Sequence, residues 1–214
     1  MQYPTPLTFD ATTQPSHAII WLHGLGSSGD DFSDVIPLLN LRPSTRVILP
    51  NAPIMPVSIN GGYPMPAWYD LYDLTFPRVR EDLTGIAQSA LWIEQLMREE
   101  NERGIADSHI LLVGFSQGGA VALHVGLRRL CAGVIALSTY LTDATNTPPA
   151  LDKRPFVFMH GRVDTVVPIS AGQSALQTLQ SLGYQTKWHD YPMPHSLCPE
   201  QILDLKRFFH EQGF

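Results

Sequence analysis

The chain has little cysteine: two residues in 214, Cys131 and Cys198. A fold stapled by disulfides needs more. Two thiols this far apart fit a reducing compartment, with room for one bridge at most. Charge is also sparse, at 16% of residues, and it leans acidic, with Lys+Arg 14 against Asp+Glu 20. The net charge of −6 excludes nucleic acid or an anionic membrane as the main partner, because no run of Lys or Arg offers a phosphate-tracking patch. The basic pairs are Arg128-Arg129 and Lys153-Arg154. The first is expected in the last turn of a helix, where the macrodipole favours it. No apolar run approaches bilayer length, which predicts no stable membrane insertion. The start, Met1 to Pro6, lacks a basic region followed by an apolar one, so a cytoplasmic protein without a signal peptide is expected. No Gly-Lys-Ser or Gly-Lys-Thr occurs, which removes the P-loop. There is no internal repeat and no low-complexity tract. What remains is 44% hydrophobic, ordinary for a globular enzyme, and long enough to bury one sizeable core as a single domain over 1–214.

Strand-length apolar runs and helical patterns alternate along the chain. The runs are Ala18 to Leu22, Arg46 to Leu49, Ile110 to Val113, Gly133 to Leu137, Pro155 to Met159 and Tyr184 to Tyr191. A further strand is expected near Leu7 to Phe9. Several runs are continuous rather than alternating, as strands covered on both faces should be. Helical spacing recurs from Leu83 to Met97, with Gly104 as a stop, and Ala120 to Leu130 is apolar nearly all round. Pro168 to Leu182 and Pro199 to Gln212 each open with proline. The order predicts an α/β fold with a mostly parallel central sheet, right-handed crossovers and helices on both faces. Asn51 to Arg78 breaks the rhythm. It is rich in proline and holds Gly61-Gly62 and the aromatics Tyr63, Trp68, Tyr69 and Tyr72, so it is expected to be a long functional loop flanking the site rather than disorder.

Strand, turn and helix meet at Val113-Gly114-Phe115-Ser116-Gln117-Gly118-Gly119. Gly-x-Ser-x-Gly between a strand and a helix is a nucleophile elbow. The tight reversal exposes the Ser116 hydroxyl and needs glycines where two backbones close in. The Gln117 N–H then points at a developing oxyanion. A serine hydroxyl needs a base and an acid that orients it, and on this topology they follow in the order acid, then histidine. Asp164, in a short loop between a strand and the helix opened by Pro168, is preferred to Asp143. His195, in the loop after the last strand, is preferred to His189 within that strand and to His210 on the terminal helix. The second oxyanion donor is expected from His23-Gly24-Leu25-Gly26, with Leu25 offering the N–H and His23 shaping the turn. That stretch also reads Gly24-x-Gly26-x-x-Gly29, a dinucleotide fingerprint, but the next strand ends at Leu49-Pro50-Asn51 without the acid that holds a ribose. His195 and Cys198 lie close, yet no further thiol or imidazole completes a metal-ligand set. No cofactor or metal is expected.

These residues resemble the phospholipase/carboxylesterase family, small esterases related to acyl-protein thioesterases and lysophospholipases. The marks are His23-Gly24-Leu25-Gly26, Ala67-Trp68-Tyr69-Asp70, Gly114 to Gly119, Leu137-Ser138, His160-Gly161 with Asp164 and Val167-Pro168, and His195. The resemblance implies an α/β-hydrolase fold without a large cap, with Ser116 as nucleophile, Asp164 as acid and His195 as base. Leu25 and Gln117 would supply the oxyanion N–H groups, and Met65, Trp68 and Val166 would line the acyl site. It also implies short- to medium-chain carboxyl esters, thioesters, lysophospholipids or an acylated protein as substrate, and a homodimer. Ser27 stands where the family commonly has Asp, and Ser138-Thr139-Tyr140 varies around the pocket. A binding module on an inactive scaffold would lack a triad member, and a serine peptidase would carry an added propeller or cap. The chain shows neither.

Overall fold

A computed structural model describes residues 3–214. In chain order the strands are β1 Leu7–Phe9, β2 His17–Leu22, β3 Thr45–Leu49, β4 Ile54–Val57, β5 Tyr63–Pro66, β6 Leu71–Asp73, β7 Arg80–Glu81, β8 Ile110–Phe115, β9 Gly133–Leu137, β10 Pro155–Gly161 and β11 Gln185–Tyr191. The helices are α1 Ile36–Leu39, α2 Leu83–Glu102, α3 Gln117–Gly126, α4 Ile169–Ser181 and α5 Pro199–Glu211. Seven strands form one sheet in the order β1-β3-β2-β8-β9-β10-β11. β1 runs antiparallel to β3 and the remaining neighbours are parallel.

The continuous apolar runs have a simple origin. Side chains alternate across a strand, and both faces of this sheet are covered. In β2, Ala18, Ile20 and Leu22 enter a core shared with α2, α3 and α4, through residues such as Ile86, Val121 and Leu179. Ile19 and Trp21 enter a second core with Ile36 and Leu39 of α1 and Leu205 and Phe209 of α5. Fully burying a large apolar side chain contributes roughly 1.5–3 kcal/mol, so a polar residue on either face of β2 or β8 would be costly. Both thiols are free, and Cys131 is buried. Among the described residues no helix is long and apolar enough to cross a membrane.

Two expectations are corrected. The helix after the elbow stops at Gly126, so Arg128-Arg129 lies beyond it rather than in its last turn. Arg128 still serves that end, since its Nη1 donates to the His124 carbonyl at 3.2 Å, where the negative end of the dipole receives a cation. The segment 51–78 is not a plain loop. β4 and β5 form a hairpin across Gly61-Gly62, and β6 pairs with β7 just past its end. Positive φ at both glycines, 67° and 78°, lets the chain turn there. No cap domain covers the sheet among the described residues; these short pairs are the elaboration at its edge.

Candidate active site

Four parallel strands deliver their C-terminal ends to one rim. β2 leads into His23, β8 into Ser116, β10 into Asp164 and β11 into His195. Ligands and catalytic groups of open α/β sheets gather at that rim.

Ser116 sits between β8 and α3 with φ 53° and ψ −119°, a conformation L-residues seldom adopt. The neighbouring strand holds it there. Ser116 N–H donates to Leu137 O at 2.9 Å, and Thr139 Oγ1 donates to Ser116 O at 2.6 Å. The flanking glycines are steric requirements. A Cβ on Gly114 would collide with the Gly118 backbone, and one on Gly118 with the carbonyls of Leu22 and His23.

Asp164 is 7% exposed. Its Oδ1 accepts the N–H groups of Val166 at 2.9 Å and Val167 at 2.8 Å, and its Oδ2 accepts His195 Nδ1–H at 2.7 Å. A carboxylate only accepts, so Nδ1 carries the hydrogen and Nε2 keeps its lone pair free. Burial pushes the Asp164 carboxyl up, but the His195 hydrogen bond and the two backbone donors outweigh it and hold the group below the ordinary carboxylate value. The acid and base loops are tied together by Arg162 N–H to Tyr191 O at 2.8 Å and Val163 N–H to Met193 O at 3.3 Å. Asp143, the other candidate acid, lies elsewhere, accepting Asn146 Nδ2 at 2.6 Å and facing Arg128 at 3.9 Å. His210 is exposed and bonds to Asn40 O at 2.7 Å.

The His23–Gly26 turn is built from inside. His23 is fully buried; its Nδ1–H donates to Gly24 O at 2.7 Å and its Nε2 accepts Ala52 N–H at 3.0 Å. Burial depresses its pKa, so the ring is a neutral strut. Asn51, where a dinucleotide site would need an acid, instead accepts Gly29 N–H at 2.8 Å. Leu25 and Gln117 N–H groups donate to no acceptor among the described residues. Both residues line a cavity of about 240 Å³ together with Ser116, His195, Leu71, Leu74, Phe115, Tyr140 and Val166. Val166 was expected there.

Trp68 and Met65 were expected there too and are not. Trp68 is 1% exposed, and its indole Nε1 donates to His23 O at 2.7 Å, so it supports the turn from behind. Met65 lies beside Gly26, outside the cavity wall. Three residues that the sequence singles out make side-chain contacts that it does not predict. The Gln117 side chain accepts Trp68 N–H and donates to Tyr69 O, both at 2.9 Å, clamping the elbow to the 51–78 segment. His160 stacks on Trp188 and donates from Nε2 to Val167 O at 2.9 Å, bracing the acid loop. Tyr140 bonds through its hydroxyl to Tyr69 at 2.9 Å. No local signal reveals these contacts, because the partners lie up to 71 residues away along the chain.

A strained serine on an elbow, a histidine held by a buried carboxylate and two free N–H groups, all on the rim of a parallel sheet, are the arrangement expected of a serine ester hydrolase of the α/β-hydrolase fold. Comparison with known proteins agrees. The family model described as Phospholipase/Carboxylesterase matches residues 6–212, and the chain belongs to that family. It is 39% identical to acyl-protein thioesterase 1 of Mycosarcoma maydis, with 92% of each chain covered. It is 34% identical to acyl-protein thioesterase 1 of Gibberella zeae, with 97% of this chain and 95% of that one covered. The crystal structure of Arabidopsis thaliana SOBER1 superposes with a TM-score of 0.84 at 26% identity, over 92% of this chain and 99% of the other.

Proposed function

We propose that this chain, acting as one domain, hydrolyses short- to medium-chain carboxyl esters and acyl thioesters through an acyl-enzyme on Ser116. His195 Nε2 takes the Ser116 proton as Oγ attacks the acyl carbon. The Leu25 and Gln117 N–H groups receive the oxyanion, where each donor removed typically costs about 10²–10³ in rate. His195 then returns the proton to the departing alcohol or thiol. Water repeats the sequence, and the carboxylic acid leaves with Ser116 restored. Asp164 stays ionised throughout and fixes the imidazole tautomer.

The observation that carries this reading is the 2.7 Å bond from His195 Nδ1 to a buried Asp164, made beside the cavity that Ser116 lines. The apolar wall of that cavity suits an acyl chain. The relatives' names support acylated proteins as substrates alongside small esters, and every residue of the machinery comes from one chain, so a homodimer is not needed for chemistry. The free thiols suit a reducing compartment, and we place the enzyme in the cytoplasm. The test has two arms. A fluorophosphonate probe should add to Ser116 by mass spectrometry, and a panel of small esters, acyl thioesters and lysophospholipids should rank the substrates. A folded protein that neither labels at Ser116 nor turns over any member would overturn the proposal.

A further inference from the structure

Beside the cavity at Ser116 lies a cleft more than twice its volume, about 580 Å³. One part of its wall is apolar, with Phe76 and Val79 from the β6–β7 connection, Leu141 after β9, and Ala171 and Ala175 on α4, while Glu81 and Asp143 add carboxylates elsewhere in it. Among the described residues one side chain belongs to both walls, Tyr140. It is held on two sides. Its hydroxyl bonds to that of Tyr69, which is fully buried, and the Phe76 ring meets it edge-on with centroids 5.4 Å apart. Tyr69 is itself anchored, because its carbonyl receives the Gln117 amide. The partition is therefore a fixed part of the frame that holds the elbow.

On the reading of the Ser116 cavity as the acyl site, we propose that Tyr140 sets the length of acyl chain the enzyme accepts, by walling that cavity off from the neighbouring cleft. An engineered cavity of about 150 Å³ holds one benzene ring, so by that measure the site takes roughly six to eight acyl carbons beside the ester group. A longer chain must leave through the mouth into water. Were the phenol ring removed, the cleft beyond, with Phe76, Ala171 and Ala175 in its wall, would receive the next methylenes.

The experiment measures kcat/KM for p-nitrophenyl esters from acetate to laurate, each kept below its micelle concentration. In the wild type the values should climb by up to roughly fourfold per buried methylene and break near six to eight carbons. Tyr140→Ala should move the break outward. Two newly buried methylenes would raise the long-to-short ratio about sixteenfold. Tyr140→Leu, which keeps an apolar side chain beside Phe76, gives the same comparison if the alanine variant does not fold. Tyr140→Phe should keep the wild-type break, since the ring remains. Tyr140→Ala combined with Ala171→Leu should bring the break back, because the added side chain occupies the cleft. A break that stays put in both truncated variants, that moves equally in Tyr140→Phe, or that ignores the Ala171 substitution overturns the proposal. Folded protein with no turnover of any ester and no fluorophosphonate adduct takes the esterase reading down with it, and is thereby told apart from a failed partition.

Discussion

Replacing Asp164 by Asn asks whether the two carboxylate oxygens have separate duties. Oδ1 accepts two backbone N–H groups and Oδ2 accepts His195 Nδ1–H. An asparagine offers one acceptor oxygen. If its amide nitrogen turned toward Val166 and Val167, three donors would crowd together and both N–H groups would lose their acceptor, the buried one on Val167 at about 1–3 kcal/mol. The amide should therefore keep its oxygen on the backbone and point its NH₂ at His195. The imidazole can satisfy that donor only by moving its hydrogen to Nε2. Nε2 then cannot accept the Ser116 proton. Serine proteases with the same exchange lose about 10⁴-fold in kcat with the geometry intact, and a loss of that order is expected here. The assay is initial-rate hydrolysis of p-nitrophenyl butyrate, with circular dichroism to show that the fold survives. Asp143→Asn, in a group committed to Asn146, should stay close to wild type. An Asp164→Asn enzyme within tenfold of wild type, or a large loss from Asp143→Asn, would refute the reasoning.

Gln117→Met should uncouple the elbow from its brace. It leaves Trp68 N–H and Tyr69 C=O without their buried partners, at about 1–3 kcal/mol each, so the urea midpoint and kcat should fall together; a stability change below about 0.5 kcal/mol would show that the clamp is incidental. Acid should weaken the fold in two separate windows. Burial depresses the pKa of His23, His160 and His124, the last to about 4. The unfolded chain therefore takes up protons first, and these histidines contribute stability that is complete above about 6.5 and is lost as pH falls below it. Asp164, held below its ordinary value, adds a second loss only as pH falls below about 3.8. Glu81, raised by burial, works in the opposite sense around its own ordinary value. Urea midpoints that stay flat between pH 7 and 5 would contradict the neutral, buried state assigned to these rings.

Much of the scaffold is legible in the chain itself because its signals are local. A strand covered on both faces must read as a continuous apolar run, and β2, β8, β9 and β10 do, whereas the outer strand β11 is only partly covered and alternates. The elbow is equally local: Gly114 and Gly118 are dictated by contacts within a few residues of Ser116 or with the adjacent β2 end. Chain order and loop position then single out Asp164 over Asp143 and His195 over His189 and His210, since a rim of a parallel sheet can be placed from the strand ends alone.

What the sequence could not decide depends on partners far apart along it. Trp68 reads as a pocket residue because it is aromatic in a loop beside the site, yet the His23 carbonyl captures its indole N–H and draws the ring into the core. The 51–78 segment reads as a loop because its prolines and glycines disguise strands that exist only by pairing with each other. The Gln117 side chain looks like a helix-start residue until Trp68 and Tyr69 close over it. Tyr140 becomes a partition only when α4 and the β6–β7 connection wall a cleft on one side of it and the Gly24-Leu25 turn, the elbow and the His195 loop wall the cavity on the other. Ser116, Asp164 and His195 can be picked out from residue type and order, whereas the walls around them follow from packing, which only the tertiary structure contains.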